Sequence, residues 1–168
     1  LNPTPAQLLT IRAIEAQRWT FVTKYRQAKI TTVTLMHLLL RDCMFLQGIS
    51  GVLIADTNAT AEMAFKRLRF AYENLPSPVK MPLAPGSKGS KKELEFIHGG
   101  NIIIKSLEGR APAVGLSIDR LHITELGEAT HQQKAIVSLF PAINKRHNAK
   151  LVIESTPGGA GTFHERMW

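Results

Sequence analysis

Cysteine is almost absent from this sequence, because Cys43 is the only one among 168 residues. A single thiol can form neither an internal disulfide nor a zinc site built from thiolates, so disulfide-stapled domains and cysteine-ligated zinc domains are excluded. Cys43 lies within an apolar helical stretch, and we expect it to be a core residue rather than a nucleophile. Such sparse use of cysteine fits a reducing compartment best.

Long hydrophobic runs are also missing. The longest, such as 102-III-104 and 38-LLL-40, fall far short of the roughly 18 residues that a membrane-spanning helix needs. No signal peptide opens the sequence, so we expect a soluble, intracellular protein that does not engage a membrane. Hydrophobic residues still make up 44% of the chain, which is enough to bury the core of one domain at this length.

Acidic residues are few relative to basic ones. The chain has 13 Asp and Glu against 21 Lys and Arg, a formal net charge of +8. This excess favours polyanionic partners such as nucleic acid or nucleotides, although a merely soluble basic surface would give the same balance. Four prolines, two glycines and four lysines between Pro76 and Lys92 predict a mobile basic loop.

The order of the predicted elements is that of an α/β protein with a mainly parallel sheet. A helix begins at Thr4-Pro5-Ala6-Gln7, a capping-box sequence with proline at the first helical position, and runs to about Gln17. A hairpin signal at His98-Gly99-Gly100 adds an antiparallel pair, 93–97 and 101–106. The remaining predicted strands are 19–23, 51–55, 120–124 and 150–156, and the remaining predicted helices are 31–46, 59–75 and 130–140.

Polar residues follow three strands that look buried. Lys24 follows the first, Glu125 follows 120–124, and Ser155-Thr156 ends the last. Ligands of parallel sheets bind outside the carboxyl ends of the strands, so we expect these side chains to converge. A cation, a carboxylate and hydroxyls together are what nucleotide hydrolysis requires.

Glycine is missing from the segment 24-KYRQAKITT-32, which has the outline of a phosphate-binding loop. Against the template GxxxxGK[ST], lysines fill both glycine positions, Ile30 fills the lysine position, and only Thr31 matches. On this segment alone a solvated basic turn is the favoured interpretation. In the functional interpretation, backbone N–H groups at the helix start hold phosphates, Lys24 supplies the missing charge, and Thr31 binds Mg²⁺. Lys29 costs about 1–2 kcal/mol if its backbone is left-handed, or it adds a second phosphate contact.

The order of 24-KYRQAKITT-32, 121-LHITELGE-128 and 151-LVIESTPGGAGTFHERMW-168 resembles the ATPase domain of the large subunit of viral DNA-packaging terminases from tailed bacteriophages. The resemblance implies a RecA-like P-loop NTPase fold of three layers over residues 1–168. It assigns an adenine-motif helix to 1–18, a phosphate loop to 24–32, a catalytic strand to 120–125 and a coupling motif to 151–159. The C-terminal nuclease domain of the family is expected to be absent, and with it nuclease activity.

The resemblance also implies roles for individual residues. Glu125 matches the carboxylate that orients the attacking water, and Arg26 matches a loop arginine that stabilises the γ-phosphate. Ser155 and Thr156 match the motif that couples hydrolysis to movement, although an ordinary strand exit would explain them too. The expected ATP-binding residues are Gln7, Lys24, Gln27, Lys29, Ile30, Thr31 and Thr32. Gln7 matches the family's adenine-recognising glutamine, its capping-box role is the alternative, and both roles can hold at once.

One departure from the family concerns the metal ion. Thr124 stands where Asp is usual, and a hydroxyl can contact a metal-bound water but cannot balance the charge of Mg²⁺. Either metal affinity is weaker than in relatives with Asp, or another acid such as Glu128 or Asp119 assists. Thr31 and Thr124 are therefore the expected Mg²⁺-associated residues, Thr124 only indirectly.

A second departure is Val114-Gly115 in place of a frequent Arg-Gly pair. If a neighbouring subunit donates an arginine to the active site, Arg110 or Arg120 has to supply it.

The resemblance implies ATP and Mg²⁺ as cofactors, and hydrolysis that drives double-stranded DNA into a procapsid in the host cell cytoplasm. The implied partners are a homo-oligomeric ring, the portal protein and the small terminase subunit. Two alternatives remain open: a degenerate, weakly or non-hydrolysing nucleotide- and DNA-binding assembly module, and another RecA-like translocase such as a helicase. The six histidines show no paired metal spacing.

Overall fold

The computed structural model describes residues 2–87, 90–108, 115–126, 139–143 and 148–157. From Pro5 to Glu73 helices alternate with strands as the sequence predicts, and the main elements described after that are strands. Short 3₁₀ turns lie at Ser77–Val79, Pro85–Ser87 and Phe140–Ala142. The main elements are α1 (Pro5–Ala16), β1 (Trp19–Thr23), α2 (Ile30–Thr34), a π-helical stretch (Leu35–Arg41), α3 (Asp42–Phe45), β2 (Ser50–Ala55), α4 (Asn58–Glu73), β3 (Glu93–Glu95), β4 (Asn101–Ser106), β5 (Arg120–Thr124) and β6 (Lys150–Ser155).

The six strands form one sheet in the order β1-β6-β5-β2-β4-β3. Every neighbouring pair is parallel except β3 and β4, which are antiparallel. The predicted mainly parallel sheet with an antiparallel hairpin is therefore confirmed. Successive residues of a strand face opposite sides of the sheet, and Leu53 and Ile54 of β2 accordingly belong to two separate apolar clusters.

Helix α1 begins with the predicted capping box. The Thr4 hydroxyl accepts from the Gln7 backbone N–H, and the Gln7 side chain accepts from the Thr4 N–H. Two otherwise unpaired donors at the start of the helix are satisfied in this way. The helix ends at Ala16, one residue before the predicted end.

Helical structure after the loop is continuous from Ile30 to Phe45 but changes type twice, from α to π and back to α. Its apolar side packs into the core, and Cys43 is completely buried there. Burial, reinforced by the neighbouring Asp42 carboxylate, raises the pKa of the Cys43 thiol. Cys43 is thus a core residue, as predicted.

The prediction that β1 is buried is wrong. Among the described strands β1 is one of the two edge strands, the other being β3. It pairs only with β6, and Trp19 at its start is 47% exposed. Aromatic and β-branched residues suit the half-covered surface of an edge strand as well as a buried one. Here the Trp19 ring packs on Phe140, with 5.5 Å between the ring centroids.

The basic segment 76–92 runs through two 3₁₀ turns and returns to the sheet at β3. The Tyr72 hydroxyl donates to the Met81 carbonyl, which fixes part of this segment on α4. The predicted helix over 130–140 falls outside the described residues except for its last two positions. None of the helices in the described ranges has the length and apolar character that crossing a membrane requires.

Candidate functional site

Four strands end at the same edge of the sheet and bring the predicted polar residues together. In the parallel register Thr23 lies beside Ser155, Thr124 beside Glu154, and Ile54 beside Ile123. The residues that follow β1, β5 and β6 therefore meet at one place. The prediction that a lysine, a glutamate and hydroxyls lie close together at this edge is confirmed.

Lys24 occupies the centre of this cluster. Its Nζ lies 2.8 Å from Oε1 of Glu125 and donates to Oγ1 of Thr31, also at 2.8 Å. Oε2 of Glu154 lies 3.8 Å from the same nitrogen. The lysine side chain is only 8% exposed, so one ammonium faces two carboxylates with little water to screen them.

Glu125 is held on three sides. Its backbone N–H donates to the Glu154 carbonyl, which extends the β5–β6 ladder by one residue. Its Oε2 accepts from the backbone N–H of Thr156 at 3.4 Å and from the Thr156 hydroxyl at 3.3 Å. The carboxylate is thus fixed between Lys24 and the end of β6, although a quarter of the side chain, 26%, remains open to solvent.

Backbone strain in the described residues concentrates at this edge. The non-glycine residues with positive φ are Gln27 at 68°, Lys29 at 56° and Glu125 at 56°. A left-handed backbone costs about 1–2 kcal/mol for a residue with a Cβ, and such strain typically clusters at functional sites. Lys29 therefore has a left-handed backbone conformation that favours glycine, without being glycine.

A cavity of about 350 Å³ opens beside these residues. An adjoining cavity of about 600 Å³ extends along the loop. Nine of the predicted site residues line one or both: Lys24, Arg26, Gln27, Lys29, Thr31, Thr32, Thr124, Glu125 and Thr156.

Three other predicted residues are buried behind this surface. Gln7 is 8% exposed, and its side-chain amide donates to the Ala28 carbonyl at 3.2 Å while its oxygen caps α1. The capping role of Gln7 is confirmed, its role in adenine recognition stays a prediction, and the side chain also supports the loop from behind. Ile30 is 3% exposed, and Ser155 is fully buried with its hydroxyl donating to the Thr156 carbonyl.

The sequence interpretation missed a buried histidine–glutamate contact directly under the site. Nε2 of His122 on β5 lies 3.0 Å from Oε1 of Glu154 on β6, and both side chains are fully buried. Burial alone would raise the pKa of Glu154, but the hydrogen bond and charge of His122, together with Lys24 and Thr31, lower it below its ordinary value. A titratable residue within each of two apolar strands was the signal that could have revealed this pair.

Asp56 and Arg67 also line the cavity and were not predicted. Asp56 directly follows the apolar strand β2, just as Glu125 follows β5, so the same argument from strand ends applies to it. Arg67 lies on α4 and shares one helical face with Thr60 and Ala64. It lines both cavities and brings a further cation to the loop.

Two expectations about residues at the start of β5 are wrong. The Asp119 carboxylate accepts from the Ser50 N–H, at the opposite end of a strand that rises roughly 3.3 Å per residue. It is therefore too far from Thr124 to assist a metal ion there. Arg120 is 3% exposed, pairs with the buried Asp42 and donates to the Asn148 carbonyl, so it cannot reach a neighbouring subunit.

Other predicted positions lie outside the described residues. They are Arg110, Val114, Glu128 and the part of the coupling motif beyond residue 157.

The donor set at this edge fits Mg²⁺ bound together with a nucleotide. Mg²⁺ prefers oxygen ligands and usually takes only one or two protein carboxylates, with phosphates and waters completing the shell. Within the described ranges no three His, Cys, Asp or Glu residues form a metal-binding group of their own. Three buried oxygens here lack a hydrogen-bond partner among the described residues: Oγ1 of Thr124, Oδ1 of Asp56 and Oε2 of Glu154.

Comparison with known proteins identifies relatives by structure only. No protein-family model matches the sequence, and no curated protein does. The large terminase of bacteriophage HK97 superposes with a TM-score of 0.68 at 19% identity, covering 94% of this chain and 34% of that one. The ATPase domain of the large terminase of Thermus phage P74-26 superposes with a TM-score of 0.61, at 17% identity over 95% of this chain and 67% of that one.

A point mutant of that Thermus phage domain gives the same TM-score at 16% identity, with 98% of this chain and 69% of that one covered. This chain spans about a third of the length of the HK97 protein. The chain has the α/β fold of the ATPase domains of phage large terminases.

Proposed function

We propose that this chain is the ATPase motor domain of a terminase large subunit, which hydrolyses ATP to move double-stranded viral DNA into a procapsid. The observation that carries the proposal is the position of Lys24, whose Nζ contacts both Glu125 and Thr31 at 2.8 Å. These contacts support a role for Lys24, at the front of the loop, like that of the lysine in a standard phosphate loop. The shared fold with phage terminase ATPase domains supports the same proposal.

In the proposed reaction, the loop binds the phosphates of ATP. The ammonium of Lys24 leaves Glu125 and pairs with a phosphate oxygen, because a triphosphate carries more negative charge than one carboxylate. Arg26, which lines the cavity, stabilises charge that develops on the γ-phosphate, as arginine does in related enzymes. Lys29 and the backbone N–H groups of 27–32 complete the cradle.

Mg²⁺, when bound, would supply positive charge that offsets the negative charge of the phosphates. Thr31 and Thr124 are the hydroxyl residues proposed to be associated with it.

Glu125 is the proposed catalytic carboxylate. When Lys24 moves to a phosphate, Oε1 of Glu125 loses its partner and becomes an acceptor for the proton of an attacking water. Oε2 remains held by Thr156, which keeps the carboxylate oriented. Because Thr156 directly follows β6, a shift of Glu125 during turnover would pull directly on the segment proposed to couple hydrolysis to movement.

Steady-state phosphate release, with and without double-stranded DNA, tests the proposal. Glu125→Gln should lower turnover by about 10²–10⁴-fold, the usual contribution of a general base, while ATP binding persists. Lys24→Ala should lose both ATP binding and turnover. Glu95→Gln, an exposed carboxylate on β3, removes the same charge elsewhere and should leave turnover intact. Normal turnover in both site variants would overturn the assignment.

A second candidate function is a nucleotide- and DNA-binding assembly module that does not hydrolyse ATP. Two observations favour it: the neutral Thr124 beside the site and the ion pair that already joins Lys24 to Glu125. Tight binding of Mg-ATP with no DNA-stimulated phosphate release would support this candidate over the motor.

The partners follow from the fold likeness and the charge. We propose a ring of identical subunits on double-stranded DNA, acting with the portal protein and the small terminase subunit in the host cell cytoplasm. The net charge of +8 and the basic segment 76–92 fit contact with DNA or with a neighbouring subunit. Strand separation on a forked duplex would instead indicate a helicase.

A further inference from the structure

Two buried oxygens in the wall of the smaller cavity lack a partner among the described residues. They are Oγ1 of Thr124, a residue only 1% exposed, and Oδ1 of Asp56. A buried polar atom left without a hydrogen bond costs about 1–3 kcal/mol, so such atoms usually have a ligand, ion or water in the working protein.

The sheet brings Asp56 and Thr124 to the same edge. The parallel register pairs Ile54 of β2 with Ile123 of β5, and Asp56 and Glu125 each follow two residues later. Neighbouring strands lie about 4.8 Å apart, so the end of β2, with Asp56 after it, lies beside the end of β5, which holds Thr124. Both residues line the cavity that also contains Lys24 and Thr31.

Charge distinguishes Asp56 from the other two carboxylates at this edge. Glu125 is paired with Lys24, and Glu154 is paired with His122 and lies 3.8 Å from Lys24. Among the described residues, Asp56 has no ion pair. No described side chain therefore balances the charge of the Asp56 carboxylate. The residue at the end of the neighbouring strand β5, Thr124, is neutral.

A role in starting α4 does not account for Asp56. The cap of that helix is Thr57, whose hydroxyl accepts from the Thr60 N–H. Asp56 precedes the cap, and its Oδ1 makes no hydrogen bond to the helix start.

We propose that Asp56 supplies the negative charge for the nucleotide-bound divalent cation that Thr124 cannot supply. The cation site would thus draw on two adjacent strands, with a carboxylate from β2 and a hydroxyl from β5. The inference rests on the proposed nucleotide site and assigns one residue of it.

Binding of Mn²⁺, followed by electron paramagnetic resonance of the free ion, tests the inference without turnover. The protein is saturated with a non-hydrolysable ATP analogue, and Mn²⁺ stands in for Mg²⁺. Asp56→Asn should weaken Mn²⁺ binding in this complex by about 10–100-fold, the usual effect of losing a supporting carboxylate. Analogue binding in metal-free buffer should not weaken. Glu62→Gln, an exposed acid on α4, is the matched loss of charge and should leave Mn²⁺ affinity unchanged.

A compensating variant sharpens the test. Adding Thr124→Asp to Asp56→Asn moves the carboxylate from β2 to β5 and should recover about tenfold or more in Mn²⁺ affinity. Asp56→Ser serves as a second single variant, and thermal unfolding confirms that each protein is folded. Mn²⁺ affinities of Asp56→Asn and Asp56→Ser equal to that of Glu62→Gln would overturn the inference and leave the proposed function intact. Failure of the unaltered chain to bind the analogue would overturn both.

Discussion

Replacing Glu154 by Gln should destabilise the fold and reduce its sensitivity to acid. The change preserves the shape of a fully buried side chain but removes the charge that faces His122 at 3.0 Å and Lys24 at 3.8 Å. A hydrogen bond to a charged group contributes about 1.5–3 kcal/mol, whereas the amide retains only a neutral bond to His122. Lys24 keeps Glu125 as a partner, so the expected loss stays within that range near pH 7.

The pH dependence has a defined sign. The pKa of Glu154 in the folded protein lies below its ordinary value of 4.5, because His122 and Lys24 favour the charged form more than burial opposes it. Its contribution to stability is therefore fully present above the unfolded-state pKa and is lost as the pH falls through the lower folded-state value. The difference in the free energy of unfolding between the original protein and Glu154→Gln should shrink over the same interval.

Urea unfolding followed by tryptophan fluorescence measures this difference at a series of pH values. With a urea slope of about 2 kcal/mol per molar, a loss of about 2 kcal/mol lowers the midpoint by about 1 M. Glu95→Gln, on the surface of β3, controls for the loss of one negative charge. A loss below about 0.5 kcal/mol at neutral pH, or one that grows on acidification, would refute the reasoning.

Three further changes have clear expected outcomes. Arg120→Met should lower the free energy of unfolding, measured in urea, by about 3–5 kcal/mol, because it leaves the Asp42 carboxylate buried without its cation. A loss under about 1 kcal/mol would contradict the buried pair. Lys29→Gly should raise the free energy of unfolding by about 0.5–1 kcal/mol, because the relief of left-handed backbone strain exceeds the entropy cost of glycine. Lys29→Ala keeps a Cβ at this position and should give no gain. Arg67→Ala should weaken ATP binding by about tenfold in calorimetric titration, the equivalent of about 1.4 kcal/mol, while Arg69→Ala, whose partner is Glu73, should not.

Much of the fold could be predicted because its signals are local. The capping box at Thr4 and Gln7, the β-branched runs of the strands and the glycine turn before β4 each determine structure within a few residues, and the structure has these elements at or within two residues of the predicted bounds. The position of β1 at the edge of the sheet could not be predicted in this way, because strand order depends on which distant segments pair. The same composition serves a central strand or a half-exposed one.

The candidate site was predictable where residues follow strands and unpredictable where they act from within or beside them. Lys24 and Glu125 stand at strand ends, so the parallel sheet alone brings them together. His122 and Glu154 lie inside apolar strands, and their pairing depends on the β5–β6 register. Arg67 lies on α4, and the packing of α4 on the sheet determines which cavity Arg67 lines. The spacing of residues in the sequence does not predict that packing.

The π-helical stretch Leu35–Arg41 changes the directions in which side chains at the two ends of one continuous helix point relative to each other. In a regular α-helix each residue advances the side-chain direction by about 100°, so fixing one end fixes the other. A wider π turn advances less per residue and changes that relation between the ends. At one end Thr31 has to meet Lys24, and at the other Asp42 has to meet Arg120. The π-helical stretch therefore allows both contacts to form on one helix. Removing one residue from it would rotate Thr31 or Asp42 away from its partner.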